Sequence, residues 1–528
     1  MFLDKQNRLN AATLFVASAR RFGSKIAIRS ANELRTYSQL EDRTSRIAQG
    51  LINAGIRLGD HVVLMAPNGI QFIETWWGIV RSGAVVIPIN PLSTKNELIT
   101  ILTTAMASGI IIHTKDQVSI SNEIRKSFPK MTIVSDNSNE KLQILALEDL
   151  VRVSPQLEMP SNACLEDPCA IYFTAGSTGQ PKGIVRSNQS VVWGLGMLAR
   201  TLRSDDILLA RAPMAHTGGS LTGPFAILIA GGSLIIPSNT SVECIMNEVQ
   251  KYQVTHLYVH PTIFAKKMLQ YLEANNCNLT HIKKLQWTAG HLPESIRNDI
   301  FKIFPQIPFE VTYGMTEASN IASFEYLPND SSRSVNVNCV GYPLLGAGIR
   351  IVNENGIEMP LGTTGEIEIF TPTAFKCYLG DVESTRQSIT KDGWFHTGDT
   401  GHLDENGALY LDGRTREIIN TGGMSVQPAE VENALAEHGQ VVDVIVFGMP
   451  HPEWDEAITA VVTLKGPNSE DIKLELIDFC RQKLAAYKLP KNIFITTELP
   501  RNASGKIDKK GVRKIVLELE ESINQEEQ

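Results

Sequence analysis

The chain has 528 residues, 43% of them hydrophobic and 20% charged, with a formal net charge of −8 and a mean hydropathy near zero. That length exceeds one simple core, so two or more domains are expected, and the acidic balance speaks against a nucleic-acid groove and against tight binding to an anionic membrane. No apolar run approaches the ~18 residues of a membrane helix, and seven scattered cysteines fit a reducing compartment without disulfides, so a cytoplasmic protein with no membrane span is expected.

Apolar β-branched runs alternate with helical patterns over most of the chain, which predicts an α/β layer fold. Ser38-x-x-Glu41 reads as a capping box opening an amphipathic helix, with Leu40, Ile47 and Leu51 on one face and Gly55 as its stop. Buried strands are predicted at Val62 to Ala66, Ala84 to Ile87, Gly109 to His113, Ser233 to Ile236 and Thr255 to Val259. Cys164 and Cys169 form a C-x4-C pair with no matching partner downstream, and a zinc site is not expected there.

Pro168 to Phe173 reads as a strand running into Thr174-Ala-Gly-Ser-Thr-Gly-Gln-Pro-Lys-Gly183. Three glycines and the hydroxyls of Ser177 and Thr178 let backbone and side chains approach a phosphate, with Thr174, Gly179 and Lys182 in the same cradle. A Walker loop counted from Gly176 needs glycine at 181 and a hydroxyl residue at 183; the chain has Pro181 and Gly183, which disfavours a P-loop NTPase.

From about Val340 the turns come closer together, with Asn353 to Gly356 and Asp404 to Gly407 between short strands, as in a β-rich subdomain. A smaller α+β unit is expected after Gly413, with strands Val441 to Phe447 and Ile458 to Leu464, a helix from Asp471 to Ala485, and a polar tail from Glu518 that frays. The domain division is therefore placed at 1–413 and 414–528.

The glycine-rich segment resembles the phosphate loop of the adenylate-forming enzymes: acyl-CoA synthetases, aryl-acid CoA ligases, luciferases and peptide-synthetase adenylation domains. Further matches follow in the family's order. Tyr313-Gly-Met-Thr-Glu317 resembles the nucleotide-holding segment, which implies Tyr313 on adenine, Thr316 on a phosphate and Glu317 on Mg2+. Asp392-Gly-Trp-Phe-His-Thr-Gly-Asp399 resembles the ribose turn, with Asp399 on the diol and Arg414 reaching ribose or phosphate; a structural salt bridge is the alternative for both. Pro500-Arg-Asn-Ala-Ser-Gly-Lys506 resembles the loop that inserts a catalytic lysine, the cation that relieves repulsion when a carboxylate attacks the α-phosphate. Pro213-Met-Ala-His216 resembles the edge of the acid pocket; a core histidine is the alternative for His216, and Ala215 stands where an aromatic is common.

The resemblance implies a fold with a large N-terminal domain of layered α/β subdomains plus a β-rich subdomain, and a small mobile C-terminal α+β domain carrying Lys506. It implies ATP, Mg2+ and CoA as the reaction's needs, with CoA as acyl acceptor, or alternatively the phosphopantetheine of an acyl or peptidyl carrier protein. Arg416 is the implied hinge, and Gly422, Gly423 and Met424 the loop beside the thiol. Thr217 replaces the aspartate that amino-acid-activating relatives use for an ammonium group, which points to a small carboxylic acid that is not an amino acid. Gly218 and Gly219 leave room in the pocket, while His291 and Thr312 make it more polar or shorter. A homodimer is an assembly the resemblance allows.

Overall fold

The computed structural model describes residues 9–31, 33–157, 162–175, 181–288, 292–414, 417, 419–421, 424–451, 455–466, 470–484, 486–502 and 506–526. Two sheets dominate the first four hundred residues. In an eight-stranded sheet, His61–Met65 lies between Val85–Ile89 and Gly109–Ile112, all parallel, with Thr132–Ser135 and Ile144–Ala146 beyond. On the other side Pro168–Ala175 joins Val85–Ile89 in parallel and then pairs antiparallel with Pro181–Ser187. The central strands are apolar on both faces, as parallel strands covered by helices must be. Val62, Leu64, Val86 and Ile111 enter one core cluster, while Val63, Val85, Ile87 and Ile110 enter another, the alternation of a pleated strand.

A thirteen-stranded sheet forms the second layer. Its parallel part contains Ile207–Leu209, Ser233–Ile236, His256–Tyr258, Lys284–Thr288 and Phe309–Met315. At Phe309–Met315 the chain reverses into Ser319–Tyr326, and the sheet continues antiparallel through Cys339–Pro343, Leu409–Arg414, Phe395–Leu403, Gly365–Phe370 and Gly348–Val352. The β-rich subdomain expected from Val340 is thus a continuation of this sheet. One core cluster spans both sheets and the helices Ala11–Arg21, Tyr37–Asn53, Ile70–Ser82 and Pro224–Ala230. Phe15 stacks on Trp77 at 4.6 Å, and Trp76 lies 4.7 Å from Phe225.

The helix expected near residue 38 spans Tyr37–Asn53, but its capping box is Thr36 with Gln39, two residues before the Ser38–Glu41 pair. Both spacings are i, i+3. The true box is set by Glu33–Thr36, an edge strand whose extended backbone ends at Thr36. Leu40, Ile47 and Leu51 are buried, as their spacing requires.

Residues from Ile419 onward build a five-stranded sheet with their own core. Val441–His451 and Asp455–Leu464 form its long hairpin, and Asn492–Ile495 adds a parallel strand. Val446, Ala460 and Val462 face the helices Pro428–Ala436 and Glu470–Arg481; Ile445, Phe447 and Val461 face Val512 and Val516 of the last helix. That helix runs Lys509–Glu526, through the stretch expected to fray. Val512 and Val516, four residues apart and fully buried, dock its first turns.

Candidate active site

Five strands, a short helix and one loop of the C-terminal unit carry those of the singled-out residues that the structure describes. The glycine segment leaves Pro168–Ala175 and returns as Pro181–Ser187, with Thr174 opposite Lys182. Ser177, Thr178 and Gly179 fall outside the described residues, as do His291, Arg416, Gly422 and Gly423, and so does the side chain of Arg414. Lys182 Nζ donates to Ser384 Oγ at 3.0 Å, lies 3.7 Å from Asp381 Oδ2 and sits 4.9 Å from the centre of the Tyr378 ring.

Tyr313-Gly-Met-Thr-Glu317 forms a tight reversal between two antiparallel strands. A Cβ on Gly314 would lie 2.2 Å from the Ser319 carbonyl oxygen, so only glycine allows the strands to close. The reversal presents Thr316 and Glu317 at the sheet's end. Thr217 Oγ1 is 3.5 Å from Thr316 Oγ1, and Tyr378 Oη donates to Glu317 at 3.1 Å. Behind them lies Arg186, fully buried, donating to Thr316 O at 2.7 Å, Thr373 O at 2.7 Å, Ser319 Oγ at 3.0 Å and Ser190 Oγ at 3.2 Å. Desolvation pushes its pKa down to about 10, still well protonated at neutral pH. Motif reading passed over Arg186. The available signal was a cation inside the strand Pro181–Ser187, among residues that are otherwise apolar at its core.

Tyr313 Oη donates to Asp399 Oδ2 at 2.7 Å, and both side chains are buried. Asp399 stands opposite Arg414 across the ladder between Phe395–Leu403 and Leu409–Arg414. The ribose-type turn, the nucleotide-type turn and the backbone of the arginine thus meet at one point, although Tyr313 and Asp399 are 86 residues apart in the chain.

His216 precedes the short helix Thr217–Ser220. Its Nε2 is enclosed and has no hydrogen-bond partner among the described residues. Burial lowers its pKa, and the positive charge of Lys506 lowers it further, so the imidazole is neutral at physiological pH. That second cause places the Lys506 ammonium within electrostatic reach of His216. Lys506 closes a turn in which Asn502 N donates to Lys506 O at 2.8 Å and Lys506 N donates to Asn502 Oδ1 at 3.1 Å. Arg501 at the turn's base is ion-paired with Asp443. Lys266 Nζ donating to Val442 O at 2.6 Å and Gln427 Nε2 donating to Thr400 Oγ1 at 3.1 Å hold the C-terminal unit against the rest.

One pocket expectation changes. Gly219 does not open space: a Cβ there would lie 2.0 Å from the Pro213 carbonyl oxygen, so this glycine lets the helix pack on its own lead-in loop. At Gly218 a Cβ would meet nothing nearer than 3.9 Å. Thr312 is buried, with its hydroxyl 3.4 Å from Trp287 O.

Among the described residues no group of three or more His, Cys, Asp or Glu side chains could hold a metal ion by itself. A magnesium ion that keeps its waters needs only one or two carboxylates beside substrate phosphates, and Glu317 at the sheet's end meets that requirement.

Comparison with known proteins agrees with this geometry. The profile of the AMP-binding enzyme family matches residues 15–379, and that of the AMP-binding enzyme C-terminal domain matches residues 430–506. The feruloyl-CoA synthase of an Amycolatopsis species is 30% identical over 501 residues, covering 94% of this chain and 97% of that protein. The indoleacetate–CoA ligase of Aromatoleum aromaticum is 27% identical over 494 residues, covering 93% and 95%. Among solved structures, ATP-bound MatB from Rhodopseudomonas palustris superposes with a TM-score of 0.84 at 26% identity, covering 96% of this chain and 99% of that one.

Proposed function

This chain belongs to the AMP-binding enzyme family, and on that premise we propose that it is an AMP-forming acid–CoA ligase whose catalytic cation is Lys506. The carboxylate of a small acid attacks the α-phosphorus of ATP, the bond to pyrophosphate breaks, and an acyl-adenylate forms. The CoA thiol then attacks the acyl carbonyl, the mixed anhydride opens, and AMP leaves while the thiol proton passes to solvent. The relatives, a feruloyl-CoA synthase and an indoleacetate–CoA ligase, support CoA as the acceptor over a carrier protein.

The observation that carries this reading is the Tyr313–Asp399 hydrogen bond, which joins two nucleotide-type motifs in one site; the charge of Lys506 acting on His216, assigned to the edge of the acid pocket, supports Lys506 as the cation. An ammonium there sits between two anions that repel each other, and it offsets the charge that grows as they join. Neutral His216 adds no competing positive charge. Thr316 and Lys182 are assigned to the phosphates with Thr174, Ser177, Thr178 and Gly179; Tyr313, Asp399 and Arg414 to the nucleoside; Thr217, Gly218, His291 and Thr312 to the acid. The 2.7 Å bond from Tyr313 holds Asp399 oriented for a diol. Glu317 would hold Mg2+, which supplies screening of the phosphate charges.

The second half-reaction requires Lys506 to leave, and we assign that motion to rotation of residues 414–528 about Arg416, with Gly422 and Gly423 then lining the thiol path. Support comes from the separate core of the C-terminal unit and from the few polar contacts that hold it, among them Lys266 to Val442 and Gln427 to Thr400. No helix among the described residues is long and apolar enough to cross a membrane, and placement in the cytoplasm belongs to the proposal. The test is ATP-dependent pyrophosphate release over a panel of carboxylic acids, each with CoA, with a carrier protein and with neither. Release that depends on an acid and ends in a CoA thioester supports the reading; release independent of every acid overturns it.

A further inference from the structure

Buried arginines in this protein are matched by acceptors. Arg81 reaches Glu41 and Thr44, Arg186 has its four oxygens, and Arg297 reaches Glu294, Asn298 and Val335 O. Arg211 is different. Its Nε is enclosed without a partner, as is that of Arg81, but the side chain is only half-buried, and among the described residues none of its guanidinium nitrogens has a hydrogen-bond acceptor or a carboxylate. What faces it is the ring of Phe264, 4.1 Å from Cζ. Desolvation pushes its pKa down to about 10, so it remains a cation. A guanidinium held over a ring face with its terminal donors unclaimed is a fixed cation with hydrogen bonds still to make.

The place of Arg211 gives those free donors a use. It lies two residues past the strand Ile207–Leu209, at the carboxyl edge of the parallel strands, where open α/β sheets receive their ligands. The same loop carries His216 five residues on, with its own unpartnered Nε2. The loop is rigidly held: Asn68 Nδ2 donates to Ala212 O at 2.8 Å, Met214 N donates to Asn68 Oδ1 at 2.8 Å, and Gly219 packs on Pro213 O. Phe264, a buried member of the core, backs the guanidinium and fixes its position. The reacting carboxylate belongs beside Thr316 and Lys506, so Arg211 is left for a different anion on the same substrate.

We infer that Arg211 receives a second anionic group of the acid, and that the preferred substrates are dicarboxylic acids activated at one end. This rests on the acid–CoA ligase reading above and names its substrate class. A guanidinium takes a carboxylate through two parallel N–H donors, which fixes both the charge and the orientation of the far end.

The experiment compares matched acids that differ by one carboxylate: hexanoate with adipate, octanoate with suberate, benzoate with terephthalate. Pyrophosphate release and direct calorimetric binding of each acid are measured on the wild-type chain, on Arg211→Met and on Arg211→Lys. In at least one pair the diacid has the higher kcat/KM by about 10-fold or more, the size of one charge-assisted contact. Arg211→Met brings that ratio to about one or below, and Arg211→Lys keeps part of it. The ratio is independent of how much of a variant folds. Equal loss for both members of every pair would assign Arg211 to the reacting carboxylate and overturn the inference, as would monoacids preferred throughout by the wild type. If no acid is activated at all, the ligase reading fails; calorimetry then decides separately whether diacids bind in an Arg211-dependent way.

Discussion

The phenol of Tyr313 donates to the carboxylate of Asp399 at 2.7 Å, tying the strand Phe309–Met315, the last of the sheet's parallel part, to the strand Phe395–Leu403 of its antiparallel part. The two residues sit in separate sequence motifs, and each alone has a bland structural explanation. Joined, they make a buried carboxylate with one defined orientation.

Tyr313→Phe keeps the ring and removes the donor. Losing a hydrogen bond to a buried charge costs about 1.5–3 kcal/mol, so KM for ATP rises by roughly 10-fold or more while the acid's KM changes little. Steady-state pyrophosphate release checks this, and an unaltered KM for ATP would remove Asp399 from the nucleoside site.

Arg186→Met leaves the carbonyls of Thr316 and Thr373 without their cationic donor in a fully buried setting. Leaving a buried acceptor unsatisfied costs about 1–3 kcal/mol. Denaturant unfolding measures it, and the remaining folded enzyme shows a raised KM for ATP because Thr316 is no longer held from behind.

His216 titrates below its unfolded value of 6.5, first through burial and then through Lys506. Below pH 6.5 the unfolded chain takes up this proton before the folded one does, so the residue's contribution to stability falls as pH drops and levels off only under the folded pKa. In Lys506→Ala the smaller cause is gone, and the His216 ring signal in an NMR titration moves to higher pH yet stays under that of a free imidazole. No movement would mean that Lys506 does not reach the site in this arrangement.

How far the chain could be read in advance depended on distance along it. The strands Ser233–Ile236 and Pro168–Ala175 declare themselves by short apolar runs, and the order of nucleotide-type turns points to one site. The capping box was read at Ser38 because Ser-x-x-Glu and Thr-x-x-Gln satisfy the same rule, and only the edge strand ending at Thr36 chooses between them. Gly219 looked like pocket space because a glycine's reason lies in what its missing Cβ would strike, here a carbonyl of Pro213. Arg186 and Arg211 were passed over for a related reason. A lone arginine carries no pattern, and their meaning comes from four acceptors in one case and none in the other.

Arg416→Pro stiffens the proposed joint between the two units. Thioester formation then falls by more than adenylate formation, since only the former needs the C-terminal unit to rotate. Rapid-quench measurement of both half-reactions gives the ratio; an unchanged ratio moves the hinge elsewhere.

The most direct measurement is the pair of half-reaction rates of Lys506→Ala. Pyrophosphate release from ATP and acid falls by about 100-fold or more, the loss expected when a group that stabilises charge in the transition state is removed, while CoA thiolysis of a supplied acyl-adenylate proceeds near the wild-type rate. Equal loss of both half-reactions, or retention of the first, would contradict a lysine that acts only while the two anions are being joined.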